Sequence, residues 1–67
     1  MTTPKFPEVR VQLTGHDGNA FAVLGVVTRA LRAGGASREE VALFYEEATA
    51  GDYDHLLATT MRWVEVY

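Results

Sequence analysis

Hydrophobic and polar residues alternate near both ends of this chain. In the segment 9–13 every second residue is apolar, which predicts a strand with one buried face. The segment 63–67 alternates in the same way, and there Trp63, Glu65 and Tyr67 share the side opposite to two valines. These two strands lie at the two ends of the chain, and we expect them to pair with each other.

Two segments between the strands have the apolar spacing of amphipathic helices. The first helix is predicted over 20–33 with Asn19, or alternatively Asp17, as its N-cap. The β-branched residues at its centre leave a strand as the alternative. Its first two turns are apolar nearly all round, Phe21 included, which predicts burial on several sides. The second helix begins after Ser37, because Ser37 and Glu40 have the spacing of a capping box.

A third helix is predicted from Asp52 or Asp54 to about Arg62. The predicted fold is therefore a small α+β domain of order β-α-α-α-β. Its three helices pack on one face of a two-stranded sheet formed by the N- and C-terminal strands. Because short connections reverse the chain direction from one element to the next, the two strands are expected to run parallel. The predicted buried stripe of the third helix is Leu56, Leu57, Thr60, Met61 and Val64.

The length of 67 residues is enough for one domain, predicted over 8–67 and preceded by a flexible N-terminal arm over 1–7. The chain has no cysteine, so it has neither disulfides nor a thiolate metal site. A chain this short buries only about 60% of its unfolded surface. Very good packing, a metal or association with another chain is therefore the expected source of stability.

The face of the predicted sheet that lies away from the helices carries Arg10, Trp63, Glu65 and Tyr67. Two large aromatic side chains on an uncovered sheet face are unusual for a monomer and typical of an interface. We therefore expect a partner-binding surface with Trp63 and Tyr67 as anchors and Arg10 and Glu65 at the rim. The alternative is that Trp63 packs back over the third helix within one chain.

The alternating directions also bring two polar loops to the same end of the domain. Each loop has a histidine near carboxylate or amide groups, which suits a divalent cation or, beside helix N-termini, an anion. The alternative is that these residues are helix caps and turn residues, which their positions favour. Their spacing matches no metal or cofactor motif, so none is predicted. The candidate ligand-binding residues are His16, Asp17, Asn19, Asp52, Asp54 and His55.

Composition excludes several classes of protein. The longest strongly apolar run, 20–27, is too short to span a membrane, and the first residues do not form a secretory signal, so we expect a cytoplasmic protein. A net charge of −3 does not suit direct nucleic-acid binding. No nucleophile stands beside an evident base, so no catalytic residue is predicted. The glutamates of the second helix, which suit an acidic inhibitor of a nucleic-acid-binding protein, are Glu39, Glu40, Glu46 and Glu47.

Three stretches of the chain resemble a set of small proteins of unknown function encoded in bacterial and bacteriophage genomes. They are DGNAF at 17–21, GDYDHLL at 51–57 and MRWV at 61–64. The resemblance implies an accessory protein of a phage or mobile element that acts by binding a host protein. With the aromatic sheet face, it leads us to expect a small non-catalytic interaction module that self-associates, most simply as a dimer. A ligand-binding or metal-binding domain using the end with His16 and His55 is the alternative.

Overall fold

The computed structural model describes residues 3–13 and 19–67. Three helices pack on one face of a two-stranded sheet, so the predicted α+β fold and its β-α-α-α-β order are confirmed. Within the described residues, no helix is long and apolar enough to cross a lipid bilayer. The elements are β1 (Phe6–Val11), α1 (Ala20–Ala33), α2 (Arg38–Ala48), α3 (Tyr53–Trp63) and β2 (Val64–Val66).

The two strands run parallel, as the count of chain reversals predicts. Arg10 pairs with Glu65, but the register is irregular between Phe6 and Arg10, where Pro7 has no N–H to donate. The strand begins three residues earlier than the alternating pattern indicates. In addition, the Lys5 N–H donates to the Arg62 carbonyl at 2.9 Å. Phe6 and Pro7 therefore belong to the sheet and not to an N-terminal arm.

Side-chain caps start α1, α2 and α3, and in α1 and α3 the cap is one of the two candidates that the sequence offers. The Asn19 side chain accepts from the first turn of α1 at 2.9 Å. Ser37 and Glu40 form the full capping box of α2, with bonds of 3.1 and 2.7 Å. Asp52 caps α3 with a bond of 2.9 Å. Each cap satisfies backbone N–H groups that have no partner within the helix.

Two glycines end α1 and bring it against the sheet. A side chain at Gly34 would overlap a methyl group of Val9, so only glycine allows α1 and β1 to approach this closely. Gly35 has a φ of 96°, in the left-handed region that glycine adopts without strain. The end of α1 is thus fixed by contact with the sheet as well as by its own backbone.

The core lies between the sheet and the three helices. Two polar side chains, Thr59 and Thr60, are buried in it, and their hydroxyls donate to carbonyls one turn earlier in α3 at 2.8 and 2.9 Å. Those bonds satisfy the hydroxyls, so their burial costs little. The buried apolar residues are Val9, Val11, Val23, Leu24, Val27, Leu31, Val41, Phe44, Ala48, Leu56, Trp63 and Val64.

Candidate functional site

Trp63 is buried inside the chain, with 2% of its surface exposed. Its ring stacks on Phe6, with 5.9 Å between ring centres, and meets Phe44 edge-on at 5.6 Å. The prediction that Trp63 faces outward from the sheet as a partner-binding anchor is therefore wrong. The alternative, in which the indole packs back within one chain, is the observed arrangement.

The error comes from the boundary between α3 and β2. Trp63 is the last residue of α3 and follows Leu56 and Thr59 at helical spacing, so it points into the core. Its Nε1–H donates to Glu47 Oε1 at 2.9 Å, and Lys5 Nζ lies 4.3 Å from the centre of its ring. Met61, predicted to be buried, is 57% exposed because the buried stripe of α3 is turned toward Thr59 and Trp63.

The outer face of the sheet therefore carries one of the two expected aromatic anchors. Arg10, Glu65 and Tyr67 are exposed there. The guanidinium carbon of Arg10 lies 4.9 Å from the centre of the Tyr67 ring, a cation–π contact that covers part of the ring. Without Trp63, this face is a polar surface with one partly covered ring.

Three of the four described residues of the predicted ligand-binding end have structural roles. Asn19 and Asp52 are N-caps, and Asp54 is exposed in the first turn of α3. The Nε2–H of His55 donates to the Glu47 carbonyl at 2.8 Å, which ties the start of α3 to the end of α2. His16 and Asp17 lie outside the described residues. Within 3–13 and 19–67, no three His, Asp or Glu side chains are grouped to hold a metal ion.

The glutamates of α2 do not form one free acidic face. Glu40 completes the capping box of α2, and Glu47 accepts the indole N–H of Trp63. Glu39 and Glu46 are left as exposed carboxylates. An acidic docking surface on α2 therefore has fewer free charges than the sequence suggests.

Phe21 lies in the two turns of α1 that are predicted to be buried on several sides, but it is the most exposed large apolar side chain among the described residues, at 79%. It stands at the mouth of an open depression of about 220 Å³. Leu24, Tyr45 and Tyr53 line the same depression, with Asp52 at its edge. This depression joins the N-termini of α1 and α3, so the predicted convergence of those two ends is observed for the described residues.

A second depression, of about 510 Å³, continues between α1 and α2 toward their other ends. It is lined by Thr28 and Arg32 from α1 and by Arg38 from α2, and Tyr45 lines both depressions. We call the two together the α1–α2 groove. Its boundary residues are Phe21, Thr28 and Arg32 of α1, Arg38 and Tyr45 of α2, and Asp52 before α3.

The α1–α2 groove has opposite charges at its two ends. Arg32 and Arg38 line one end, where Glu46 is the only carboxylate among the lining residues. Asp52 lies at the other end, in the depression that Phe21 also lines. The groove thus combines an apolar, aromatic centre with a positive end and a negative end.

Comparison with protein-family models, with curated proteins and with solved structures finds no match for this chain. The resemblance to bacterial and bacteriophage proteins, the host-protein partner that it implies and the cytoplasmic location stay predictions. Candidate functions therefore depend on the geometry of the α1–α2 groove.

Proposed function

We propose that this chain is a small non-catalytic protein-interaction module that binds a second copy of itself through the α1–α2 groove. The observation that carries the proposal is Phe21, a phenyl ring 79% exposed at the mouth of an apolar depression. Covering a phenylalanine side chain stabilises a complex by about 1.5–3 kcal/mol. Phe21 and Tyr45 thus replace Trp63 as the aromatic anchors of the expected interface.

The charges of the groove favour a second copy as the occupant. A surface that is positive at one end and negative at the other is complementary to itself after a two-fold rotation. In that arrangement the end with Arg32 and Arg38 of one copy faces Asp52 of the other copy. Such pairing at the rim of an interface selects the partner and its orientation.

The size of the molecule limits the area of an interface. It measures 27 × 24 × 22 Å, and one face of a body this small reaches at most about the 800 Å² per partner of a standard stable complex. Affinity depends on the anchors within that area, and the groove offers two aromatic anchors, so we expect a dissociation constant in the micromolar range, roughly −8 kcal/mol of binding free energy.

Sedimentation equilibrium of the wild type and of Phe21→Ala tests the proposal. Loss of the ring should raise the dissociation constant about 10- to 150-fold, the equivalent of 1.5–3 kcal/mol. Leu43→Ala is the matched control, because Leu43 is 41% exposed on α2 and does not line the groove. Circular dichroism should show equal helix content in all three proteins. A wild type that is monomeric at about 1 mM would refute self-association.

Asp52→Asn tests whether the opposite charges at the two ends of the groove contribute to self-association. Asparagine is as good an N-cap as aspartate, so the variant keeps the start of α3 while it removes the negative charge from the groove. We expect weaker association and a smaller response of the dissociation constant to added salt, since salt screens exposed charges. An unchanged salt response would show that Asp52 does not face the arginine end of the second copy.

A further inference from the structure

Gly25 is the only glycine among 19–67 at which neither close packing within the chain nor a left-handed φ requires the absence of a side chain. Gly34 contacts β1, Gly35 has a left-handed φ, and a side chain at Gly51 would meet the His55 ring at 2.8 Å. A Cβ atom at Gly25 would meet nothing within 4 Å. Glycine is nonetheless one of the least favourable residues in a helix interior, and Gly25 lies in the middle of α1.

Gly25 lies on the side of α1 that borders the groove. Phe21, Gly25, Thr28 and Arg32 follow the spacing i, i+4, i+7, i+11, so they form one stripe along the helix. The Thr28 hydroxyl donates to the Leu24 carbonyl at 2.8 Å, which satisfies its polar group within α1. The centre of this stripe therefore consists of the Gly25 backbone and the small Thr28 side chain. The Phe21 ring lies at one end of the stripe and the Arg32 guanidinium at the other.

We propose that the α1 helices of two copies cross at Gly25, antiparallel and with their backbones in close contact. This inference rests on the self-association proposed above and specifies its geometry. Absence of a side chain allows two helices to approach more closely than larger residues permit. Phe21 lies four residues before Gly25 and Arg29 lies four residues after it. A two-fold axis at Gly25 therefore places Phe21 of one copy against Arg29 of the other copy. Arg29 is exposed, and a guanidinium over a phenyl face is an attractive contact.

Gly25→Ala should change the stability of the monomer and the affinity of the dimer in opposite directions, so it tests the crossing separately from folding. Within one chain the added methyl meets nothing, and alanine favours helix, so the midpoint of thermal unfolding at low protein concentration should rise by about 4–8 °C. In the dimer the same methyl separates the two backbones, so the dissociation constant should rise at least about tenfold. A variant that is more stable as a monomer and weaker as a dimer is the expected result.

A cross-linking experiment tests the contact directly. The chain contains no cysteine, so a single introduced thiol reacts only with its own counterpart. Two Gly25→Cys copies on the axis would have Cα atoms within the range of about 4.4–6.8 Å that a disulfide requires. Ala33→Cys is the control, because Ala33 is exposed on α1 but lies away from the stripe. Oxidation at a concentration well above the dissociation constant should link Gly25→Cys much faster than Ala33→Cys.

The outcomes distinguish the crossing geometry from the proposed function. If Phe21→Ala weakens the dimer while Gly25→Ala dimerises as tightly as the wild type, the crossing at Gly25 is wrong and self-association through the groove stands. Equal cross-linking of Gly25→Cys and Ala33→Cys would lead to the same conclusion. If the wild type is monomeric at about 1 mM, both the proposed function and the crossing are wrong.

Discussion

Trp63 joins three parts of the fold, so its removal should destabilise the whole domain. Its ring contacts Phe6 of β1 and Phe44 of α2, and its N–H donates to Glu47 near the end of α2. Since β2 follows Trp63 directly, the indole also fixes where the second strand leaves α3. We predict that Trp63→Ala loses most of the stability of the fold.

The expected loss can be compared with the total stability. Truncation of a buried tryptophan to alanine costs about 3–5 kcal/mol. A chain of 67 residues has a free energy of unfolding of about 3–10 kcal/mol, at 0.05–0.15 kcal/mol per residue. Trp63→Phe keeps an aromatic ring but removes the donor to Glu47, which should cost about 1–3 kcal/mol.

Urea unfolding followed by circular dichroism measures both variants. Trp63→Ala should be largely unfolded in buffer or unfold at a much lower urea concentration than the wild type, and Trp63→Phe should lie between them. Tyr67→Ala is the matched aromatic control, because Tyr67 is 56% exposed on the outer face of the sheet. The reasoning fails if Trp63→Ala and the wild type unfold at the same urea concentration.

Two further substitutions test contacts at the ends of α2. Ser37→Ala removes the side-chain acceptor of the capping box and should cost about 0.5–2 kcal/mol, measured as a fall in the midpoint of thermal unfolding. His55→Phe removes the Nε2–H that donates to the Glu47 carbonyl and should cost about 1 kcal/mol, with faster amide hydrogen exchange at the end of α2. An unchanged exchange rate there would show that His55 does not hold α2 and α3 together.

Local signals in the sequence were sufficient for the element order and the helix starts. Asn19, Ser37 and Asp52 cap helices because a short polar side chain satisfies the nearest free backbone N–H groups, whatever the rest of the fold does. The parallel strand pair follows from counting short connections between five elements. The caps depend on residues close together in the chain, and the strand direction depends only on the number of short connections, which is why both could be predicted.

The orientation of Trp63 could not be read from alternation alone. No turn separates α3 from β2, so Trp63 satisfies the two-residue pattern of the strand and the helical spacing from Leu56 at the same time. Thr59 conceals the helical pattern because it is a polar residue that is buried with its hydroxyl bonded to the His55 carbonyl. If Thr59 and Thr60, whose hydroxyls bond within α3, are counted as part of the buried stripe, the helical pattern reaches residue 63 and places the indole in the core.

The exposure of Phe21 depends on tertiary packing. The first turns of α1 are apolar nearly all round, so periodicity does not decide which side faces the core. The structure buries the stripe of Val23, Val27 and Leu31 and leaves Phe21 outside it. The choice is made by the sheet and α2, which pack on one side of α1, and no signal within α1 contains that information.

The single tryptophan tests whether an interface covers Trp63, as the outward-facing arrangement predicted from the sequence requires. If the sheet face with Trp63 were the interface, dissociation would bring the indole into water and shift its fluorescence emission to longer wavelength. Trp63 is buried within each chain and does not line the α1–α2 groove, so we predict the same emission maximum for monomer and dimer. Spectra recorded during dilution through the dissociation constant measure this. A red shift that follows dissociation would contradict both the burial of Trp63 within each chain and the groove as the interface.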